Sequence, residues 1–378
     1  MGSGDAPAGQ SPLRIVIAGG GTGGHLYPAL AIADEIRKMR RNAEIEFVGT
    51  RGRIEERIVP ASGYRITTIW ISGLRRGLHL SVLLFPLKVL TALVQSFALL
   101  RRVRPHVVVG TGGYVCGPVL FVATVLGIPT LLQEQNSLPG VTTRLLASRA
   151  DEVHITFEAT RKYLKRTDNV RVSGNPTRSA LAGVTREQGA RRFGLDPAQK
   201  TVLIFGGSQG SVGMNGAVLQ ALESILAAGV LVLWQTGERD FGRISTDPRV
   251  EAAVRGGRLF LHRYIESMGE AYAACDLVVC RAGATTIAEL TRLGKPSVLI
   301  PLPTAAADHQ TENARALTEA GAAVMVREDE AGSRLVSIVT GLLSDASGLA
   351  TMQRKAGQLG NPDAGRILAE AVVALAEQ

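Results

Sequence analysis

Aromatic residues make up only 4% of the 378-residue chain, and cysteine occurs three times. So few aromatics leave few platforms on which bases can stack, which argues against a nucleic-acid partner. Cys116, Cys275 and Cys280 sit in apolar runs with no CxxC spacing, so a disulfide framework is excluded and the three read as buried, reduced thiols of a cytosolic protein. No GxxxxGK[ST] run occurs, which removes P-loop nucleotidases. No Asp-x-Asp occurs either, and the six histidines are scattered, so no ligand set for a metal-dependent sugar transferase or a zinc hydrolase is visible. A signal-like opening is also missing. Residues 1–12, MGSGDAPAGQSP, are polar and rich in breakers and read as a disordered tail, and Ala6 stands where a myristoylation signal requires Ser or Thr.

What is present is ordinary globular composition: 46% hydrophobic, 20% charged and 43 glycines. Wholesale disorder is excluded, and the length suits two domains. The net charge of +9 is one-sided, with +11 over residues 1–178 and −2 over 179–378. A positive first half favours an anionic surface or ligand.

One stretch, 78–100, is long and apolar enough to raise the question of a membrane span. Lys88 near its middle would cost about 2.5–3.5 kcal/mol in a bilayer, and Pro86 breaks the run. After Pro86, Lys88, Thr91, Gln95 and Arg102 recur at helical spacing, and Leu87, Leu90, Val94 and Phe97 form a second stripe. That pattern predicts an amphipathic helix on a soluble core. For residues 74–86 two readings stay open: an ordinary loop, or an apolar patch beside Arg75 and Arg76 that dips into an anionic membrane face.

The chain reads as two similar halves. RIVIAGG at 14–20 matches TVLIFGG at 201–207, each a short apolar strand entering a glycine loop and then a helix. HVVVGTGGYVCGP at 106–118 matches DLVVCRAGATTIAEL at 276–290, and each continues to Gly-x-Pro and another apolar strand. Repeated strand–loop–helix order with apolar strands predicts α/β domains with parallel sheets, here two Rossmann-like domains facing a cleft. The joint is expected near 174–196.

Four glycine loops at the carboxyl ends of strands suit an anionic ligand, because amides at a helix N-terminus and the helix dipole both favour negative charge. Any one loop alone is as well explained by a tight turn; four together favour a nucleotide diphosphate. Gly19-x-Gly21-x-x-Gly24 fits the dinucleotide fingerprint, but the second strand ends Val48-Gly49-Thr50-Arg51 without the acid that NAD requires, although Arg51 suits an NADP phosphate. His25 closes the first loop, where it either caps the turn or acts as a general base. Glu289, five residues after Ala284, either serves the helix dipole or accepts two ribose hydroxyls. Asn136 either caps its loop or reaches the cleft.

The motifs GGGTGGHLYPALAIA, GTGGYVCGP, EQNSLPG, GNPTR, GGSQG, RYIESM, CRAGATTIAEL and DHQTENA follow in that order across roughly residues 14–323. Together they resemble the MurG family of bacterial glycosyltransferases. The resemblance implies the GT-B fold, with an acceptor- and membrane-binding domain over 13–175 completed by a C-terminal helix near 362–376, and a UDP-sugar domain over 176–361. It implies inverting transfer of N-acetylglucosamine from UDP-N-acetylglucosamine to lipid I, giving lipid II, by a peripheral enzyme on the cytoplasmic face of the cell membrane. No cofactor and no essential protein-bound metal are implied.

By the same resemblance, Tyr264 and Ile265 face the uracil through their backbone and Glu289 holds the ribose. Ser208, Ala284 and Thr286 lie about the diphosphate with Arg178 at the nucleotide, Gln209 and Thr285 belong to the same donor site, and His309 and Gln310 contact the donor sugar. Thr22, Gly23 and Asn136 also approach the donor. Gly20, Gly21, Thr22, Gly23 and Gly24, with Gly112, Gly113 and Tyr114, receive the acceptor pyrophosphate. Arg75, Arg76, Leu80, Leu83, Leu84, Phe85 and Lys88 match the membrane patch. His25 is the candidate base, with Asn136 beside it and Glu134 as the alternative base. Two departures from the family pattern are Cys116, where Ser is usual, and Ala307-Asp308, where two Asp are common. An NADP-dependent oxidoreductase and a catalytically silent UDP-sugar sensor at the membrane are the rival readings.

Overall fold

The computed structural model describes residues 12–73, 85–177, 181, 183–207, 209–305 and 308–378. Its described residues divide into two compact units, one running to Pro176 and taking in Asp363–Gln378, the other Thr177–Pro362.

In the first unit seven strands form one parallel sheet: β1 (Arg14–Gly19), β2 (Glu44–Thr50), β3 (Arg65–Ile69), β4 (Val107–Gly112), β5 (Thr130–Glu134), β6 (Glu152–Ile155) and β7 (Val170–Val172). Their order is β3-β2-β1-β4-β5-β6-β7. The inner strands are buried along their whole length, which is why they read as continuous apolar runs rather than alternating ones. Between β1 and β4 the order reverses, and there Ile15 pairs with Val107 and Ala18 with Gly110. On one face the helix Gly23–Met39 packs with the C-terminal helix Ala364–Ala376, whose Leu368, Ala369, Val372 and Leu375 are buried beside Ile15, Leu26 and Ile32. On the other face lie the helices Phe85–Val103, Cys116–Val125 and Val141–Leu146.

The helix Phe85–Val103 corrects one expectation. Pro86 is helical, and Leu87, Leu90, Val94 and Phe97, read from the sequence as a core stripe, are exposed, Leu90 at 60% and Val94 at 61%. The core takes Ala92, Ser96, Leu99 and Leu100 instead. The polar stripe is the partnered one. Lys88 Nζ donates to Ser72 Oγ at 3.0 Å, Trp70 N donates to Gln95 Oε1 at 2.7 Å, and Arg102 donates to Glu46 at 2.5 Å. So apolar a helix carries two apolar stripes, and periodicity alone does not say which one meets the sheet. Among the described residues no single helix is long and apolar enough to cross a membrane.

The second unit repeats the plan with β8 (Thr201–Phe205), β9 (Leu231–Gln235), β10 (Leu259–His262), β11 (Leu277–Cys280), β12 (Ser297–Leu299) and β13 (Ala323–Met325), all parallel, in the order β10-β9-β8-β11-β12-β13. It opens with a helix, Arg186–Phe193, begun by a capping box of Thr185 and Gln188 and stopped by Gly194 at φ 70°. Its core gathers Trp234, Met214, Leu222 and Leu335 between the sheet and the helices Val212–Ala227 and Glu328–Ser344. The reversal falls between β8 and β11. All four glycine loops therefore lie at the two points where doubly wound sheets bind their ligands.

Candidate functional site

In the first unit, the loop after β1 delivers His25 to the first turn of the helix Gly23–Met39, with Thr22 as N-cap. The ring reaches across to the neighbouring loops. Its Nδ1 lies 3.0 Å from Gln135 Oε1 and 3.1 Å from the Thr111 carbonyl. Thr111 Oγ1 in turn donates to the His25 carbonyl at 2.9 Å. Gly112 has φ 99°, and a Cβ there would come within 2.6 Å of Nδ1, so the ring lies directly on a backbone that only glycine can supply.

The same loop departs from a simple anion cradle. Gly21 N donates to both oxygens of the buried Glu55 at 3.1 Å, and Glu55 also accepts from Thr50 N at 3.0 Å and Thr50 Oγ1 at 2.8 Å. The Gly21 amide, expected to face the acceptor pyrophosphate, is thus committed to a carboxylate. Gly20 and Gly49 accommodate that side chain, since a Cβ on either would strike it. Past Gly21, the first-turn amides of Gly23 and Gly24 have no intrahelical acceptor. From the β4 side come Gly112, Gly113 and Tyr114, the last an exposed ring lying against Gly73. Cys116 is buried behind them, and burial pushes its thiol up to about 12.

Glu134, the alternative base, is 3% exposed. Asn136 donates to its Oε1 through both N and Nδ2 at 3.1 Å, while Gly140 N at 3.0 Å and Thr143 Oγ1 at 2.6 Å donate to its Oε2. Both oxygens are spent on shaping the 134–140 loop. Asn136 accepts at its carbonyl from Thr160.

In the second unit, Gly283 caps the helix Ala284–Arg292, and no side chain caps it. Thr285 Oγ1 is buried there with no hydrogen-bond partner among the described residues, and Thr286 follows on the same turn. One turn on, Glu289 accepts from Tyr272 Oη at 2.8 Å, and burial together with that carboxylate holds the Tyr272 hydroxyl well above its ordinary range. Tyr264 is 53% exposed. The Ile265 amide, expected to face the uracil, instead donates to Gln235 Oε1 at 2.7 Å. A cavity of about 340 Å³ opens beside this loop, between Arg192, Phe193, His262 and residues 263–267. Helix His309–Glu319 starts at His309 after Asp308, which has φ 55° and accepts from Thr311 Oγ1 at 2.6 Å. Gln310 Oε1 accepts from Leu302 N at 3.0 Å, closing the 302–310 loop. Gln209 is exposed in the loop after β8.

Several expected residues lie outside the described ones: Arg178, Ser208, Arg75, Arg76, Leu80, Leu83 and Leu84. Phe85 and Lys88 are described, with Lys88 also 5.7 Å from the Trp70 ring centre. Sequence reasoning missed four residues: Thr111, Gln135, Glu55 and Arg281. Arg281 is buried and donates to the Ile300 and Pro301 carbonyls at 3.0 and 2.9 Å, and it also meets Ser211 and Glu328. Its signal was a charge placed between an apolar strand and a glycine loop, a position that has to be paired if buried.

The comparisons agree with this architecture. The glycosyltransferase family 28 N-terminal domain matches residues 15–155, and the glycosyltransferase family 28 C-terminal domain matches 201–366. A crystal structure of Acinetobacter baumannii MurG superposes with a TM-score of 0.75 at 26% identity, covering 96% of this chain and 100% of that one. Paired parallel sheets with glycine loops at both reversals, under these matches, define a glycosyltransferase of the GT-B fold.

Two full-length relatives narrow the class. One from Chlorobium luteolum is 49% identical, over 97% of this chain and all of its own; one from Salinibacter ruber is 44% identical over 97% of each. Both are UDP-N-acetylglucosamine–N-acetylmuramyl-(pentapeptide) pyrophosphoryl-undecaprenol N-acetylglucosamine transferases. The chain belongs to that family, the MurG family.

Proposed function

We infer that this chain moves N-acetylglucosamine from UDP-N-acetylglucosamine to lipid I, producing lipid II for peptidoglycan synthesis. The observation that carries this is full-length identity of 49% to a transferase of that name. The rival NADP reading finds no support at the end of β2, where Thr50 is committed to Glu55.

The donor belongs to the second unit. The uncapped first turn of helix Ala284–Arg292 suits the diphosphate, since its amides and dipole oppose accumulating negative charge as UDP leaves. The buried, unpartnered Thr285 hydroxyl supports that reading, because such a group calls for a partner. Glu289, one turn deeper and held by the Tyr272 hydroxyl, is assigned to accept from ribose hydroxyls. Tyr264, His309 and Gln310 complete the base and sugar ends, with Ser208 and Arg178 assigned to the diphosphate by family motif alone.

The acceptor belongs to the first unit. Its pyrophosphate is assigned to the amides of Gly23 and Gly24 and to the Gly112–Tyr114 loop, the Gly21 amide being taken. As the acceptor hydroxyl attacks the anomeric carbon from the face opposite UDP, it gives up its proton to His25. Glu134 is the poorer base because both its oxygens are already occupied. The enzyme meets the membrane peripherally, at its cytoplasmic face, through Phe85, Lys88 and the exposed stripe Leu87, Leu90, Val94 and Phe97, continuous in sequence with the basic and apolar residues 75–84.

The deciding experiment is product formation from UDP-N-acetylglucosamine and a lipid I analogue. Lipid II is the expected product; UDP binding without product would identify a sensor, and NADP binding without UDP binding would restore the oxidoreductase.

A further inference from the structure

We propose that Gln135 is a positioning residue for the transfer: together with the Thr111 carbonyl it holds the His25 ring with its proton on Nδ1 and its Nε2 lone pair bare. The proposal rests on the reading of His25 as the base.

The amide of Gln135 is 1% exposed. Its Nε2 donates to the Thr111 carbonyl at 2.7 Å, to the Gln133 carbonyl at 3.2 Å and to Gln133 Oε1. Two of these partners are backbone carbonyl oxygens, which only accept, so the NH₂ group belongs there. A flipped amide would press its own oxygen against both carbonyls. The Oε1 atom is therefore the one turned towards the ring, 3.0 Å from Nδ1. The other neighbour of Nδ1, the Thr111 carbonyl at 3.1 Å, is also purely an acceptor.

Neutral imidazole carries one N–H, and two acceptors at Nδ1 put it there. With the proton on Nε2 instead, three lone-pair-bearing atoms would face one another in a buried corner. The ring has little freedom to turn away. Gly112 is packed against Nδ1, and Thr111 Oγ1 ties the His25 backbone to the same strand end. Nε2 is consequently the nitrogen available to take a proton from an acceptor hydroxyl.

The first test reads the tautomer directly. Nitrogen-15 NMR of the full chain labelled at its six histidines, with His25 assigned by its loss in His25→Gln, should show His25 protonated at Nδ1 and bare at Nε2. A ring protonated at Nε2 overturns the proposal. The second test is Gln135→Met, which keeps the volume and removes both polar atoms. It should mix the two tautomers and lower kcat by about 10–100-fold, the range for a misplaced catalytic group, with calorimetric UDP affinity unchanged. Mixed tautomers with unchanged kcat overturn it as well. His25→Gln kinetics, measured in parallel, test the base reading separately: if that variant stays active, the base reading fails on its own evidence, whatever Gln135 does to the tautomer.

Discussion

At Glu289 the proposed ribose contact rests on a single carboxylate. It sits one turn inside the helix Ala284–Arg292 with the Tyr272 hydroxyl on one oxygen. Glu289→Ala should weaken UDP binding by about 1.5–3 kcal/mol, as expected for hydrogen bonds to a charged group, and calorimetry measures this directly. Unchanged affinity would remove Glu289 from the donor site. At His25 the corresponding expectation concerns rate. His25→Gln keeps polarity without basicity and should lower kcat by about 10²–10⁴-fold, with UDP affinity retained; high residual turnover would leave His25 with an orienting role only. Both residues were legible in the sequence, because each follows a glycine loop at fixed helical distance. Gln135 and Glu55 were not. Their partners lie 110 and 34 positions away in the chain, and no local pattern announces that a side chain will cross to a neighbouring strand end.

Among the secondary-structure elements, helix Phe85–Val103 shows how far periodicity carries. It announces a helix and two stripes, but the face that meets the core is Ala92, Ser96, Leu99 and Leu100, with Arg102 paired to Glu46 and Thr67 and Gln95 to the backbone of Trp70 at its edge. The strand–loop–helix units were plain from their apolar runs and glycines, since parallel strands buried on both faces carry few polar residues to confuse the pattern. The outward stripe carries its own expectation. Full burial of a Leu or Val contributes about 1.5–3 kcal/mol, so Leu90→Ser with Val94→Ser should weaken binding to anionic vesicles at least about tenfold even if the side chains insert only half-way. Co-sedimentation, with UDP affinity as the folding control, measures it. Equal sedimentation of variant and parent would move the membrane contact off this helix.

For the molecule as a whole, the two units share a strand order but not a charge, the basic excess lying entirely before residue 179. That distribution suits a division in which one unit meets a lipid-linked, anionic acceptor and the other a soluble nucleotide. The units also differ in how the chain completes them. Residues 177–362 are continuous, whereas the first unit takes Leu368, Val372 and Leu375 from the last helix into its core. Deleting residues 364–378 removes burial worth about 5 kcal/mol or more, comparable with a domain's whole stability. Scanning calorimetry should then lose the transition of the first unit and keep that of the second, with UDP still bound. A truncated chain that melts like the parent would show the helix to be dispensable.

The returning helix also imposes an order of events during synthesis. Domains ordinarily acquire structure from the N-terminus onward as the chain emerges. Here the first half emerges early but waits with an open apolar groove along Leu26 and Ile32 while nearly two hundred further residues are made. The second half can finish first. Its neighbour closes only when the helix Ala364–Ala376 leaves the ribosome, so a finished second unit and an unfilled groove coexist on the nascent chain.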